Sequence, residues 1–369
     1  MGYIERLELY KEVESIRNRP LLVYVTSIRP NGGAEMSADA LPVIIEQVES
    51  LYKSSESIDL LIVSNGGDPI VSLRIISILR ERFKNIGVLV PYVAFSAATI
   101  LALGADEIVM HPYSNLGPVD PQLTVTRQTP AGQSSNMQFS SEDIRNYIEF
   151  IRKGVGITDQ AELISAFNSL ASEVGSVPIG YSRRSQQLSL SLSEKMLGTH
   201  MEDKSRAATI TQTLNTSYYH HGYAVNRSEA SEIGLNVVNP DEKLEQLLWD
   251  IWMDFSQEMK CAEPLDVLAE VLSDPDARAQ LFNVPSVTIP VGLPSELIPA
   301  VLQSVQISLR QTKPIESDTL IASIESCKSC SSLRIHLSTI CWREANMNIT
   351  YNTTQSSEGW QCQDMKPKA

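Results

Sequence analysis

Two short segments carry the residue types of acyl-transfer chemistry. Gly66 and Gly67 follow a strand-like run at residues 58–64, and paired glycines allow a tight turn that exposes backbone N–H groups. Such groups can stabilise an oxyanion. Ser96 lies among small residues at the expected start of a helix, where free N–H groups favour developing negative charge. The pair indicates a serine nucleophile beside an oxyanion hole, although a plain strand–helix turn with Ser96 as an N-cap or packing residue also fits.

The surrounding sequence alternates between strand and helix patterns. Predicted strands lie at residues 21–26, 58–64, 88–90 and 107–110, and predicted helices at 4–17, 37–52, 71–83 and 94–103. Strands that alternate with helices form βαβ units and a largely parallel sheet. Further helices are predicted at 141–152, 158–172, 181–197, 226–235 and 241–255, and turns or edge strands at 284–299. We predict an α/β domain at residues 1–257 and a separate C-terminal segment of unknown function at 258–369.

Three blocks occur in a specific order: SNGGDP at residues 64–69, SAAT at 96–99 and LGPVDPQ at 116–122. Together with their surroundings over residues 3–255 they resemble the serine dehydrogenase proteinase family, a relative of signal peptide peptidase A in the Clp protease and crotonase superfold. The resemblance implies repeated ββα units with an outer helical part, homo-oligomers, and peptide-bond hydrolysis. It implies that Ser96 is the nucleophile and that Gly67 and Ala97 supply the oxyanion N–H groups, with Gly66 permitting the turn.

The general base is less clear from the resemblance. Clp-type proteases use a histidine that would fall near Asp120, where this sequence has none. Relatives of signal peptide peptidase use a lysine from a later helix, where this sequence has Arg145 and then Lys153. Because an arginine stays protonated, we prefer Lys153 as the base, with a solvated charge at a helix end as the alternative. His111 is a second candidate, and Asp120 is either an orienting acid or a structural residue of its turn.

Composition narrows the partners. The chain of 369 residues has 30 basic and 44 acidic side chains, a net charge of −14, and no run of five basic residues, which disfavours nucleic acid and anionic membrane surfaces as partners. Residues 86–105 are uncharged and long enough to span a bilayer, but Pro91 divides them, and we predict a buried strand, a turn and a helix. The N-terminus lacks the apolar region of a secretory signal, so we expect a cytoplasmic protein without a membrane partner.

The cysteines and the adjacent histidines can be interpreted without a metal-binding role. The cysteines are Cys261, Cys327, Cys330, Cys341 and Cys362. Their odd number argues against a complete disulfide framework, which favours a reducing compartment. The last four could form a zinc site, but their spacing fits no common finger, and we predict no metal and no cofactor. His220 and His221 would point opposite ways on a strand, and we interpret them as core or oligomer contacts.

We therefore expect a serine endopeptidase that acts on peptides or unfolded proteins as a homo-oligomer. No G-x-x-x-x-G-K-[ST] motif is present, so the chain supplies no ATPase of its own. The main alternative is a catalytically inactive Clp-like scaffold whose C-terminal segment binds a protein partner. A crotonase-type enzyme for acyl thioesters would use the same oxyanion geometry but needs no serine at this helix start.

Overall fold

The computed structural model describes residues 2–128, 134–218, 220–282, 291–308, 313–343 and 348–364. The helices are α1 (Tyr3–Arg17), α2 (Ala40–Leu51), α3 (Pro69–Arg82), α4 (Ala97–Ala102), α5 (Ser141–Glu149), α6 (Gln160–Val174), α7 (Ser176–Leu197), α8 (Lys204–Thr216), α9 (Arg227–Glu232), α10 (Glu242–Glu258), α11 (Val267–Ser273), α12 (Pro275–Phe282) and α13 (Ile298–Ser308). A 3₁₀ turn covers Tyr52–Ser54 and a π-helical segment covers Phe150–Val155. The strands are β1 (Leu21–Thr26), β2 (Ser57–Val63), β3 (Asn85–Val90), β4 (Val93–Ala94), β5 (Glu107–Met110), β6 (Asn115–Leu116), β7 (Gln122–Gln128), β8 (Ser134–Ser140), β9 (Val225–Asn226), β10 (Val237–Val238), β11 (Ile315–Ser326), β12 (Ser329–Arg343), β13 (Ile349–Ser356) and β14 (Trp360–Asp364).

The centre of the fold is a run of parallel strands in the order β5-β3-β2-β1. Every residue of β1 is buried, as expected of a parallel strand that is covered on both faces. The helices α2, α3 and α4 follow β1, β2 and β4 in the chain. The predicted α/β fold with a largely parallel sheet is confirmed, and so are the strand, turn and helix predicted within residues 86–105.

Two apolar cores lie on opposite faces of this sheet. Leu22 and Tyr24 of β1 face the core that contains side chains of α2, α3, α4, α7 and α8. Leu21 and Val23 face the other core, which contains side chains of α1 and α10. This alternation is the period-two pattern of a strand. Within the described residues, no helix is both long and apolar enough to cross a bilayer.

The C-terminal strands extend the same sheet. β11 pairs antiparallel with β1, β12 pairs with β11, and both β13 and β14 pair with β12. Residues on both sides of position 257 therefore share one sheet, while a domain division at that position stays a prediction. The turns or edge strands predicted at residues 284–299 fall partly outside the described residues.

A buried arginine links the two ends of the chain. Arg6 of α1 is 1% exposed and pairs with Asp254, with Glu258 at 2.7 Å and with Glu325 of β11 at 2.6 Å. The hydroxyl of Tyr10 donates to the same Glu325 at 2.6 Å. Several carboxylates thus offset the desolvation cost of the guanidinium. This cluster fixes β11 against α1 and α10.

Candidate active site

Ser96 occupies a strained turn between β4 and α4. Its φ of 52° and ψ of −117° lie in a region that residues other than glycine rarely adopt. Hydrogen bonds on either side hold this conformation: the Phe95 N–H donates to the carbonyl of Ser64 at 2.9 Å, and the Ala98 N–H donates to the carbonyl of Phe95 at 2.9 Å. The turn places Ser96 at the N-terminal end of α4 with its side chain partly exposed.

Gly66 and Gly67 form a turn for which only glycine has room. Their φ values are 106° and 144°. A Cβ atom on Gly66 would lie 2.7 Å from the Phe95 carbonyl oxygen and 2.8 Å from the Ser96 Cβ, and one on Gly67 would collide with the backbone of Met36. The turn therefore lies directly against the backbone of Ser96.

Two backbone donors near Ser96 have no acceptor. The N–H groups of Gly67 and Ala97 make no hydrogen bond to any of the residues that the structure describes. Ala97 is the first residue of α4, whose N–H cannot bond within the helix, whereas the Gly66 N–H donates to Ser64 Oγ at 3.0 Å. Both donors lie close to Ser96, because Ala97 follows it in the chain and the glycine turn packs against the backbone of residues 95–97.

Side-chain hydrogen bonds hold both the glycine turn and the start of α4 in place. Thr26 Oγ1 at the end of β1 donates to Ser64 Oγ at 2.8 Å, so Ser64 ties β1 to the glycine turn. At the start of α4, the carbonyl of Ala97 accepts a hydrogen bond from Ser72 Oγ of α3 at 2.6 Å. Asp68 begins α3 by accepting the Ile70 N–H at 2.8 Å, which is N-terminal capping.

A cleft of about 290 Å³ opens in front of Ser96. Its apolar walls are formed by the side chains of Ile100, Val119, Pro121, Leu123 and Leu188. Gly67, Asp68 and, from α7, Tyr181 and Ser185 also line the cleft. Apolar walls with a few polar groups are typical of a ligand pocket.

Lys153 and His111 do not line this cleft. Lys153 lies on the π-helical segment, with its side chain 77% exposed and its Nζ 3.1 Å from a carboxylate oxygen of Glu149. His111 is 4% exposed, and its ring stacks on Trp249 of α10 with centroids 5.1 Å apart. Burial lowers the pKa of His111. The structure thus brings Ser96 together with the predicted oxyanion residues but not with these two candidate bases.

Asp120 instead holds a histidine that the sequence reasoning did not select as a base. Its Oδ1 lies 2.9 Å from Nδ1 of His221, and its Oδ2 accepts a hydrogen bond from Gln122 Nε2 at 2.8 Å. Asp120 is 7% exposed and its flanking residues, Val119 and Pro121, line the Ser96 cleft. A carboxylate at Nδ1 orients an imidazole and leaves Nε2 to exchange a proton.

The Asp120–His221 pair faces a second cleft of about 370 Å³. Gln122 lines both this cleft and that of Ser96, so the two clefts adjoin. From the sequence, His220 and His221 were interpreted as core or oligomer contacts, because adjacent side chains point opposite ways on a strand. Asp120 lies 101 positions from His221 in the chain. No local spacing rule could have joined the two residues.

The cysteines do not gather into a metal site. Cys330 belongs to the core beneath α1 and α10, whereas Cys341 lies in a separate apolar cluster with side chains of α11 and α12. Burial raises the pKa of Cys327 to about 12, which disfavours the thiolate that a metal needs. Among the described residues, no group of three or more His, Cys, Asp or Glu side chains could hold a metal ion.

Comparison with protein families identifies the segment that carries this site. Residues 44–143 match the family model described as ClpP-like SDH-type serine proteinase. This segment is related to the ClpP-like serine proteinases. The matched residues include the glycine turn, Ser96 and Asp120. The resemblance predicted from the three sequence blocks is confirmed.

Individual relatives are more distant. Two uncharacterized proteins of Methanocaldococcus jannaschii are 25% and 26% identical over 244 and 195 residues, spans that cover 63% and 52% of this chain. They correspond to 73% and 56% of those proteins. The membrane-bound stomatin-specific protease 1510-N has 16% identity and a TM-score of 0.35, covering 61% of this chain and 83% of its own. ClpP1 from Listeria monocytogenes has 13% identity and a TM-score of 0.31, covering 64% and 99%.

Proposed function

We propose that the protein is a serine endopeptidase that hydrolyses peptide bonds in peptides or unfolded proteins. The observation that carries the proposal is the position of Ser96, on a strained turn beside the free N–H groups of Gly67 and Ala97. All three residues lie in the segment related to serine proteinases. The apolar cleft in front of Ser96 supplies a place for a substrate side chain.

The proposed reaction is acyl transfer through a tetrahedral intermediate. The base takes the proton of Ser96 Oγ as this oxygen attacks the peptide carbonyl carbon, and the resulting oxyanion accepts hydrogen bonds from the Gly67 and Ala97 N–H groups. The intermediate collapses by breaking the C–N bond, and the base returns its proton to the departing amine. A water molecule then releases the acyl group from Ser96 by the reverse sequence of proton transfers.

We infer that His221 is the general base and that Asp120 orients it. The hydrogen bond between Asp120 and His221 Nδ1 and the shared position of Gln122 at both clefts support this assignment. Lys153 remains the alternative base. Against it stand the 77% exposure of its side chain and its ion pair with Glu149, since a lysine acts as a base when burial favours its neutral form.

The proposal also includes action without ATP as a homo-oligomer in the cytoplasm. The sequence contains no P-loop motif, and assembly is what the family resemblance implies. Size-exclusion chromatography with light scattering measures the assembly state directly. A monomer that retains Ser96-dependent hydrolysis would remove assembly from the proposal and leave the chemistry in place.

A catalytically inactive scaffold is the second candidate function. It is favoured by one observation: Ser96 Oγ makes no hydrogen bond to any side chain that the structure describes. A serine without an engaged base is a weak nucleophile. Catalytic hydrogen bonds often tighten only when substrate is bound, so labelling of the hydroxyl decides between the two functions.

Fluorophosphonate labelling tests the proposal. We expect the wild type to label at Ser96 and to hydrolyse an unfolded protein such as casein, and the Ser96→Ala variant to do neither. Ser77→Ala is the control, because Ser77 lies on the exposed face of α3, where its hydroxyl donates to the carbonyl of Leu73 at 2.8 Å, and it should label and hydrolyse like the wild type. If the assembled wild type neither labels nor hydrolyses, the serine is not activated and the scaffold function stands.

A further inference from the structure

The backbone of Met36 brackets the glycine turn. The Met36 N–H donates to the carbonyl of Gly66 at 2.7 Å, and the Asp68 N–H donates to the carbonyl of Met36 at 2.9 Å. Gly67 lies between these two bonds, with no room for a Cβ atom against Met36. Any shift of Met36 would therefore move the Gly67 N–H.

Met36 ends a loop that folds back on itself after β1. The Ala34 N–H donates to the carbonyl of Ser27 at 2.9 Å, and the Gly32 N–H donates to the carbonyl of Arg29 at 3.0 Å. We call residues 27–36 the bracket loop. A loop is ordinarily the mobile part of a fold. The position of the bracket loop therefore depends on the residues outside the loop that contact it.

Residues of the C-terminal segment make these contacts with the bracket loop. The Leu265 N–H donates to the carbonyl of Pro30 at 2.8 Å, and Arg29 Nε donates to the carbonyl of Glu263 at 2.9 Å. An Arg29 nitrogen also lies 3.5 Å from a carboxylate oxygen of Glu270 on α11. From β11, the carbonyl of Ile321 accepts the Ser27 N–H at 2.7 Å.

Arg29 is the centre of these contacts. Its side chain is 3% exposed, and a buried guanidinium is costly unless its partners satisfy it. Its partners Glu263 and Glu270 both come from the C-terminal segment, while its Nη1 has no hydrogen-bond partner among the described residues. Burial of Arg29 therefore requires the C-terminal segment to be in place. A Cβ atom on Gly32 would lie 3.1 Å from Leu265 Cβ, which shows how closely the bracket loop and the C-terminal segment pack.

We propose that the C-terminal segment positions the oxyanion turn of the active site through the bracket loop, with Arg29 and Leu265 as positioning residues. The catalytic part of this inference rests on the proposed function. The structural part, control of the Gly66–Asp68 turn by Arg29, does not.

Hydrogen exchange tests the structural part. In Arg29→Ala, the amides of Met36 and Asp68 should exchange at least about tenfold faster than in the wild type, because local opening releases the bonds that protect them. Tyr10→Phe is the matched control: it removes a buried hydrogen bond to Glu325 of the C-terminal segment without touching the bracket loop. It should lower the melting temperature and leave those amides unchanged.

Glu270→Gln is a second, milder variant that keeps the test usable if Arg29→Ala does not fold. It keeps the Glu263 contact of Arg29 and should accelerate the same amides to a smaller extent. If the amides of Met36 and Asp68 exchange at the wild-type rate in both Arg29→Ala and Glu270→Gln, the proposal is overturned. Equal acceleration in Tyr10→Phe would also overturn it, because the effect would then follow general stability.

Kinetics test the catalytic part. In Arg29→Ala, kcat should fall at least about tenfold with KM within about twofold, because the oxyanion forms only in the transition state. Tyr10→Phe should keep both constants when it is assayed well below its melting temperature. A rise in KM alone would contradict positioning of the oxyanion turn. If the wild type shows no Ser96-dependent hydrolysis, the proposed function fails, while the exchange result still decides the structural part.

Discussion

At the scale of single residues, the candidate site depends on backbone conformations that most side chains avoid. Ser96 adopts a positive φ although it carries a side chain, and Gly66 and Gly67 have no space for one. Strain of this kind persists only where surrounding contacts enforce it. Here the contacts are the backbone bonds of Ser64, Phe95 and Met36.

Replacement of Gly67 should affect catalysis more than stability alone explains. In Gly67→Ala, the new Cβ collides with Met36, so the oxyanion N–H must move and kcat should fall by about 100-fold. The matched control is Gly156→Ala, which also has a positive φ, of 86°, but has no atom within 4 Å of the added Cβ. We expect that control to be less stable by about 1 kcal/mol from strain and to retain its kcat. An equal loss of kcat in both variants would contradict the role of Gly67.

The identity of the base is also a single-residue question. His221→Gln should lower kcat by about 100-fold to 10,000-fold if His221 accepts the Ser96 proton. His220→Gln is the adjacent control, because His220 Nδ1 accepts a local bond from the Gly222 N–H at 2.9 Å, whereas His221 contacts Asp120. Lys153→Met should leave kcat within about twofold of the wild type. The opposite ranking of the His221 and Lys153 variants would make Lys153 the base.

At the scale of elements, sequence patterns predicted what local periodicity determines. The buried strands β1, β2 and β3 are apolar runs and α1 is amphipathic, so each could be read from neighbouring residues. β11 and β12 were missed because serine and threonine interrupt their apolar residues, and because β11 pairs with β1 across a gap of about 300 residues in the chain. The pairing of His221 with Asp120 was missed for a similar reason, since the two residues lie 101 positions apart in sequence.

The contact between the end of β5 and α10 should make stability depend on pH. His111 is buried against Trp249, and burial lowers its pKa below the ordinary value of 6.5, with Arg227 acting in the same direction and Glu245 opposing it. The unfolded chain then binds a proton more readily than the folded chain. The contribution of His111 to stability is therefore fully present above pH 6.5 and is lost as the pH drops below that value.

Thermal melting from pH 8 to about pH 5 checks this prediction. We expect His111→Phe, which keeps an aromatic ring against Trp249, to lose less melting temperature than the wild type on acidification. Because other groups also titrate in this range, the difference between the two profiles is the informative quantity. Parallel profiles would show that His111 contributes nothing to the acid sensitivity.

At the scale of the whole molecule, the two ends of the chain are joined through one sheet and one buried charge cluster. β11 borders β1, and Glu325 of β11 pairs with Arg6 of α1. A segment attached in this way should unfold together with the rest of the domain. The C-terminal strands then act as part of the scaffold that holds the site.

Glu325→Ala should reveal this coupling. It leaves Arg6 buried with fewer carboxylates and should lower the free energy of unfolding by about 3 kcal/mol. Asp318→Ala is the control on the same strand: its ion pair with Arg334 is 38–40% exposed and should be worth less than about 1 kcal/mol. Urea unfolding followed by far-UV and near-UV circular dichroism should give one coincident transition for each variant. Two separated transitions would mean that the C-terminal strands unfold as an independent unit, and they could then hold the bracket loop only while they remain folded.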